Sequence, residues 1–294
     1  MGSVKATLFL NKEMKTVNSI SGGKTSSYLA KHFPADINIF SLVRIDDKDN
    51  LWMKGKDEKT RQIVSDKLGK EFIGTAEMDE IIYTILDLEQ FIGTEITWVT
   101  GKSFEEVIKQ NYGYLPNKMT RYCTVEMKLK PIFNWLQENT ELPVEMRIGF
   151  RPNEISRAET VLKRADENGI EHFNTIIGKR KTQNKWGLVP YRKVTFPLIE
   201  NNIQKDIIYN YWNDKNVRFA YRNNCVGCVN RQPLMISHMA SKDLDKVKWF
   251  EKQETITGNR FLSDVSFNQI LKFGTQSSFF DDDFNECDSG FCGI

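Results

Sequence analysis

The chain has 294 residues, a length that suits one large α/β domain with an appendage, or two small domains. Hydrophobic residues make up 40% and charged residues 27%, an ordinary globular balance that supports a sizeable core. The net charge of +2 excludes a global field toward nucleic acid or anionic lipid, and no apolar run approaches the ~20 residues that cross a bilayer.

Residues 1–15 are too short and too interrupted for a signal peptide, so a cytoplasmic setting is expected. Residues 15–20 (KTVNSI) read as a short strand leading into SGGKTSS and then a helix carrying Tyr28, Leu29 and Phe33. Residues 37–46 are a near-continuous apolar run ending in Asp46, the pattern of a buried parallel strand. A charged helix follows over 57–68, closed by Gly69, then a third short strand at 71–74 and a helix over 78–91. EITWVTG (95–101) is strand-like. Ser103 with Glu106 forms a capping box for a helix striped by Phe104, Val107 and Ile108 and stopped near Gly113. Leu129, Ile132, Phe133 and Leu136 stripe a further helix, with Pro131 in its first turn. VEMRIGF (144–150) reads as the next strand, and Ile155, Ala158, Leu162 and Ala165 as the stripe of the helix after it. This alternation predicts an α/β fold with a doubly wound, mostly parallel sheet, whose ligands bind beyond the carboxyl ends of its strands.

From about residue 171 the pattern loosens into a basic loop, VTFPLIE (194–200), a helix at 202–213, the pair Cys225 and Cys228, a helix near 241–254 and a polar tail. The expected division is a nucleotide-binding unit over 1–220 and a smaller, irregular, cysteine-containing helical region over 221–294. The basic stretch at 179–193 holds Lys179, Arg180, Lys181, Lys185, Arg192 and Lys193 with no acid, and reads either as a solvated loop or as a nucleic-acid contact.

In SGGKTSS the adjacent Gly22 and Gly23 let the backbone approach an anion, Lys24 adds a point charge, and Ser21, Thr25, Ser26 and Ser27 add hydroxyls. A Walker A loop has the same ending, but its first glycine position holds Asn18 here. SGGKTS resembles the SGGKDS-type loop of PP-loop ATP pyrophosphatases, with Thr25 where that family has Asp, a change that bears on any Mg²⁺ the Asp organises. LPNKMTRYCTVEMKLKPI (115–132), GFRPNEISR (149–157) and FPLIENNIQKDIIYNYW (196–212) follow in the order of elements in the phosphoadenosine-phosphosulfate-reductase-like family. That family, which the chain resembles over roughly residues 15–230, includes sulfonucleotide reductases and the sulfur-transfer enzymes of DNA phosphorothioation. The resemblance implies a Rossmann-like, PP-loop type of nucleotide domain. It implies that Arg121, Lys128, Arg151 and Arg157 line the pocket of an adenine nucleotide, ATP or a sulfonucleotide. Guanidinium forks suit phosphate and sulfate oxygens.

The five cysteines are Cys123, Cys225, Cys228, Cys287 and Cys292; in a reducing setting they are expected to bind metal or react. Two close pairs could hold zinc. Cys123 with Cys225 and Cys228 could hold an iron–sulfur cluster, which the resemblance favours. Alternatively Cys287, in a Glu-Cys tail context like that of the reductases, is a nucleophile, although the family's Gly-His context is missing. His32, His172 and His238 are scattered and read as packing or surface residues. The expected function is sulfur-related chemistry on an adenine nucleotide: sulfonucleotide reduction or ATP-driven sulfur transfer, with Cys123 and Cys287 catalytic. A nucleotide sensor or nucleic-acid-modification partner is the alternative.

Overall fold

The computed structural model describes residues 13–48 and 57–273. Cys287 and Cys292 lie outside the described residues. The chain runs β1 (Thr16–Ile20), α1 (Lys24–His32), β2 (Ile37–Leu42), β3 (Arg44–Ile45), α2 (Glu58–Leu68), β4 (Gly74–Thr75), α3 (Glu80–Ile92), β5 (Ile96–Thr100) and α4 (Phe104–Gln110). A helix then passes from α5 (Tyr122–Thr124) through a π-helical turn, Val125–Leu129, into α6 (Lys130–Asn139). After it come β6 (Val144–Arg147), α7 (Ile155–Leu162), β7 (Ile170–Arg180), β8 (Gln183–Thr195), α8 (Pro197–Glu200), α9 (Lys205–Trp212), α10 (Pro233–Lys242), α11 (Leu244–Thr257) and α12 (Phe267–Phe273).

The architecture is α/β and Rossmann-like. One six-stranded sheet has the order β5-β2-β1-β6-β8-β7, parallel throughout except where β7 meets β8. Alternation along the strands supplies two apolar faces. Ile20, Phe40 and Leu42 pack with Leu29, Ile81, Ile85 and Trp212 on one side. Val17, Ile39 and Val144 pack with Phe133 and Leu136 on the other. Chain order reverses on either side of β1, so the switch point of the sheet lies between β1 and β6.

A third cluster sits beyond the carboxyl end of β2. It joins Val43, Ile45, Phe104, Val107 and Met127 to Val226, Ile236, Met239, Trp249, Phe250 and Phe267, so α4 and α10 to α12 share one core.

Several expectations change. The 37–46 run is not one strand: β2 ends at Leu42, the Val43 carbonyl accepts from Ala76 N (3.0 Å) and Thr75 Oγ1 (2.9 Å), and β3 pairs antiparallel with β4 outside the main sheet. The expected 71–74 strand is thereby reduced to β4. The capping box at Ser103 and Glu106 is present; α4 ends at Gln110 with Asn111 as its C-cap, and Gly113 (φ +80°) closes the stop by donating its N–H to Ile108 O at 3.0 Å. The helix expected to begin near 129 begins at Tyr122. Pro131 lacks the N–H that an α-helix would direct at the Met127 carbonyl. The helix widens to a π turn there, and Ser41 Oγ donates to that carbonyl at 2.9 Å.

The stripe of α7 is rotated: Ala158 and Val161 are buried, while Ile155 and Leu162 are about half exposed. The preceding 3-10 turn, Pro152–Glu154, turns the acid Glu154 inward and sets that phase. The helix expected near 241–254 is α11, and a further helix, α10, precedes it across Asp243. The stretch read as a basic loop is no loop. It belongs to a long antiparallel hairpin of β7 and β8, in which Arg192 is buried on Glu171 at 2.8 Å.

Candidate functional site

The turn after β1 gathers glycines and hydroxyls at the start of α1. Gly22 takes φ +77°, where a Cβ would also meet Ile81 Cγ2 at 2.6 Å. Gly23 is the N-cap of α1 and carries no side-chain cap. The first-turn amides of α1 have no acceptor within the helix either. Ser26 holds the turn from inside: its Oγ accepts from Ser21 N at 3.2 Å and donates to Gly23 O at 3.1 Å. Trp212 Nε1 donates to Lys24 O at 2.9 Å, pinning the start of α1 to α9. Lys24 Nζ rests 4.2 Å above the Tyr209 ring. The buried hydroxyls of Thr25 and Ser27 have no hydrogen-bond partner among the described residues.

The other wall of the switch point is the segment after β6. Gly149 lies against the start of α1; a Cβ there would contact Ser26 Cα and Thr25 Cγ2 at 3.5 Å. Arg151, two residues on, is 3% exposed, and its Nη1 has no hydrogen-bond partner among the described residues. Its Nε meets Glu154 Oε2 at 3.3 Å, and Arg157 Nη1 pairs with Glu154 Oε1. Arg157 also lies 4.4 Å over the Phe150 ring. Two guanidinium groups thus share one carboxylate, which leaves net positive charge beside the uncapped helix start.

The expected pocket residues therefore divide. Ser21 to Ser26, Arg151 and Arg157 gather at the β1–β6 crevice. Arg121 and Lys128 line instead a cavity of about 30 Å³ with Cys123, Cys225 and Cys228, walled by Val43, Phe104, Phe250 and Phe261. A larger cavity of about 330 Å³ shares Phe261 and is lined by Lys118, Arg231 and Arg260. Lys128 Nζ is 2.7 Å from Glu77 Oε1, and Glu77 is fully buried, so the Lys128 charge is already paired there. Arg121 Nη2 donates to Thr124 Oγ1 at 3.3 Å.

Cys225 faces Glu77 in an antiparallel bridge, and Val226 N donates to Ala76 O at 2.8 Å. Gly227 is required in the C-x-x-C turn because a Cβ would strike the Phe250 ring at 2.5 Å. Among the described residues, Cys123, Cys225 and Cys228 form no disulfide with one another. Among the described residues no group of three or more His, Cys, Asp or Glu side chains is close enough to hold a metal ion. The three cysteines line that one cavity, while Cys287 and Cys292, the other half of the expected zinc pairs, lie outside the described residues. Tyr122, beside Cys123, has its phenol pushed well up by burial and then by the neighbouring sulfur; it stays protonated and donates to Tyr114 O.

Asn223 joins the two places and was not anticipated. Its Nδ2 lies 1.8 Å from where a Gly23 Cβ would be, so the segment before Cys225 closes over the glycine turn. Arg231 holds that segment, donating from Nε to Cys225 O at 3.2 Å and from Nη2 to Asn223 O. The acids Glu77, Asp79 and Glu154 were also missed. Their inclusion in Glu-Met-Asp and in Arg-x-x-Glu is the only local trace of them. His32 stacks on Tyr28 at 4.1 Å, and burial followed by Lys31 lowers its pKa, in keeping with a packing role.

Over 132 residues the chain is 33% identical to an uncharacterized protein of Methanocaldococcus jannaschii; the match covers 43% of this chain and 26% of that protein, so it spans about a quarter of the relative's length. No family model matches the chain. No solved structure matches it.

Proposed function

We propose that this chain is an adenine-nucleotide-binding enzyme of the phosphoadenosine-phosphosulfate-reductase-like, PP-loop kind. It holds the nucleotide's phosphates at Ser21–Ser27 and carries out sulfur chemistry beside the cavity of Cys123, Cys225 and Cys228. One observation carries this reading: the uncapped start of α1 lies against the segment that bears Arg151, whose buried Nη1 has no partner among the described residues. A buried guanidinium nitrogen without an acceptor is costly unless a ligand satisfies it. Phosphate or sulfate oxygens satisfy both the fork and the helix amides.

Within this reading Arg151 and the α1 amides bind the anion, Arg157 and Glu154 orient Arg151, and Lys24 leaves the Tyr209 ring to meet a further phosphate oxygen. Arg121, at the thiol cavity, favours an anionic sulfur there. Cys287, outside the described residues, remains the candidate tail nucleophile by resemblance alone.

Binding of ATP and of adenosine 5′-phosphosulfate, followed by calorimetry, tests the assignment. Arg151→Gln and Lys24→Ala should each weaken binding by ~1–3 kcal/mol, the scale for losing a charged hydrogen-bond partner. Nucleotide affinity indifferent to both substitutions ends the assignment. Release of pyrophosphate from ATP, or of sulfite from the sulfonucleotide with a thiol reductant, then separates the two chemistries.

A further inference from the structure

The hairpin of β7 and β8 is not used by the site above. Its base is ordinary sheet: Arg192 to Thr195 pair with β6, and Phe173 stacks on Phe133 at 4.4 Å. Beyond that base the ribbon continues alone. Gln183 lies nine residues before Arg192 in the chain, which at about 3.3 Å per residue carries the tip roughly 30 Å past the start of β6. Because β8 runs parallel to β6, that projection is from the amino-terminal edge of the sheet, opposite the nucleotide crevice.

The ribbon has two chemical characters. Lys179, Arg180, Lys181 and Lys185 are all exposed around its turn, and no acid occurs between Glu171 and Glu200. Ile176 stands opposite Trp186, and Leu188 lies two residues along from Trp186, so the three share a face. They are 46%, 56% and 69% exposed. A register shift at Ile177 sends that side chain to the other face, over Gly187, where a Cβ would meet it at 2.5 Å.

Edge strands often carry lysine to prevent pairing with other chains. That purpose explains the cations but not an exposed tryptophan and leucine beside them. Cations that track phosphates, interleaved with an aromatic face on which bases stack, are what a single strand of nucleic acid requires. A base-paired duplex keeps its base faces stacked and would leave the Trp186 face without a partner.

We propose that the β7–β8 ribbon is a docking arm for single-stranded nucleic acid, with Lys179, Arg180, Lys181 and Lys185 on the phosphates and Trp186 stacked on a base. The arm holds the strand far from the phosphate turn, so it acts as a tether and is independent of nucleotide binding.

The test uses the full chain and fluorescein-labelled 20-nucleotide oligomers, single-stranded DNA and RNA and the matching duplex, titrated across a range of salt. Single strands should bind more tightly than duplex, with affinity falling steeply as salt rises. Replacing the four cations by Gln should flatten the log–log salt slope by up to about 3, at about 0.7 per phosphate contact. Trp186→Ala should weaken single-strand binding about 5- to 150-fold. Both variants should keep the wild-type thermal transition and ATP affinity, which separates failure of the arm from failure of the nucleotide site. Preference for duplex, binding indifferent to the four cations and Trp186, or a ribbon that instead drives Trp186-dependent self-association, overturns the proposal.

Discussion

At the scale of single residues, the glycine turn is shaped by what it leaves out. Gly23 has an ordinary extended φ of −99°, so its lack of a side chain is required by space, not by backbone strain. An added methyl group would occupy the position of Asn223 Nδ2. Gly23→Ala should therefore push the 222–225 segment off the turn, costing ~1–3 kcal/mol of stability, the range for overpacking. It should also weaken nucleotide binding, with both effects read by chemical denaturation and calorimetry. An Ala variant as stable and as tight-binding as wild type would mean that Asn223 does not close the turn. The three cavity cysteines make a second point. Their motifs bring them to one cavity, where no group of three or more metal-ligating side chains occurs among the described residues. Iron and acid-labile sulfide measured on anaerobically purified protein decide whether Cys287 and Cys292 complete a set with them. Glu77 and Asp79 were illegible from sequence because their cations, Lys128 and Lys246, stand 51 and 167 residues away.

At the scale of elements, local signals succeeded where the physics is local. The Ser103–Glu106 box is such a case: Ser103 N donates to Glu106 Oε2 at 2.7 Å and Glu106 N to Ser103 Oγ at 3.3 Å. Ser103→Ala should cost about 1 kcal/mol, the usual value of an N-cap, measured by urea unfolding. The neighbouring Glu105 is different. Its carboxyl accepts from Asp46 N and Asp47 N, and burial, assisted by the Asp46 charge, raises its pKa above the ordinary glutamate value. The folded state then binds the proton more tightly than the unfolded state. The stability this contributes is complete below the ordinary glutamate pKa and is lost as pH climbs through the raised folded value. Glu105→Gln should flatten that loss, so the variant gains on wild type as pH rises above the ordinary glutamate value; a difference independent of pH would refute the burial argument. The β7–β8 hairpin and the π turn eluded local reading for opposite reasons. The hairpin's strands carry lysine, asparagine, glycine and Pro190, all depleted in strands, and only cross-strand pairing makes them extended. The π turn answers a missing N–H at Pro131 with a hydroxyl supplied by Ser41, from a distant strand.

At the scale of the whole molecule, the helices after residue 230 complete a core begun by β3 and α4. Phe250, 1% exposed, meets Phe104 edge-on at 5.8 Å and stacks on Phe267 at 5.5 Å. Phe250→Ala should cost ~3–5 kcal/mol. A fragment ending at residue 220 should fail to show a cooperative thermal transition, because Val43, Phe104 and Met127 would lose their apolar cover. A cooperatively folding fragment would show that cover to be dispensable. No helix among the described residues is long and apolar enough to cross a membrane. The sequence alone determined the alternation of strands and helices, the glycine turn between β1 and α1, and the capped start of α4. Each depends on contacts within a few residues, where periodicity and backbone preference act. Only the tertiary structure decided which arginines lie near the glycine turn, that Lys128 serves Glu77, and that the basic stretch stands at the far edge of the sheet. Those outcomes depend on strand order and on the pairing of buried charges across long separations, which no local pattern encodes.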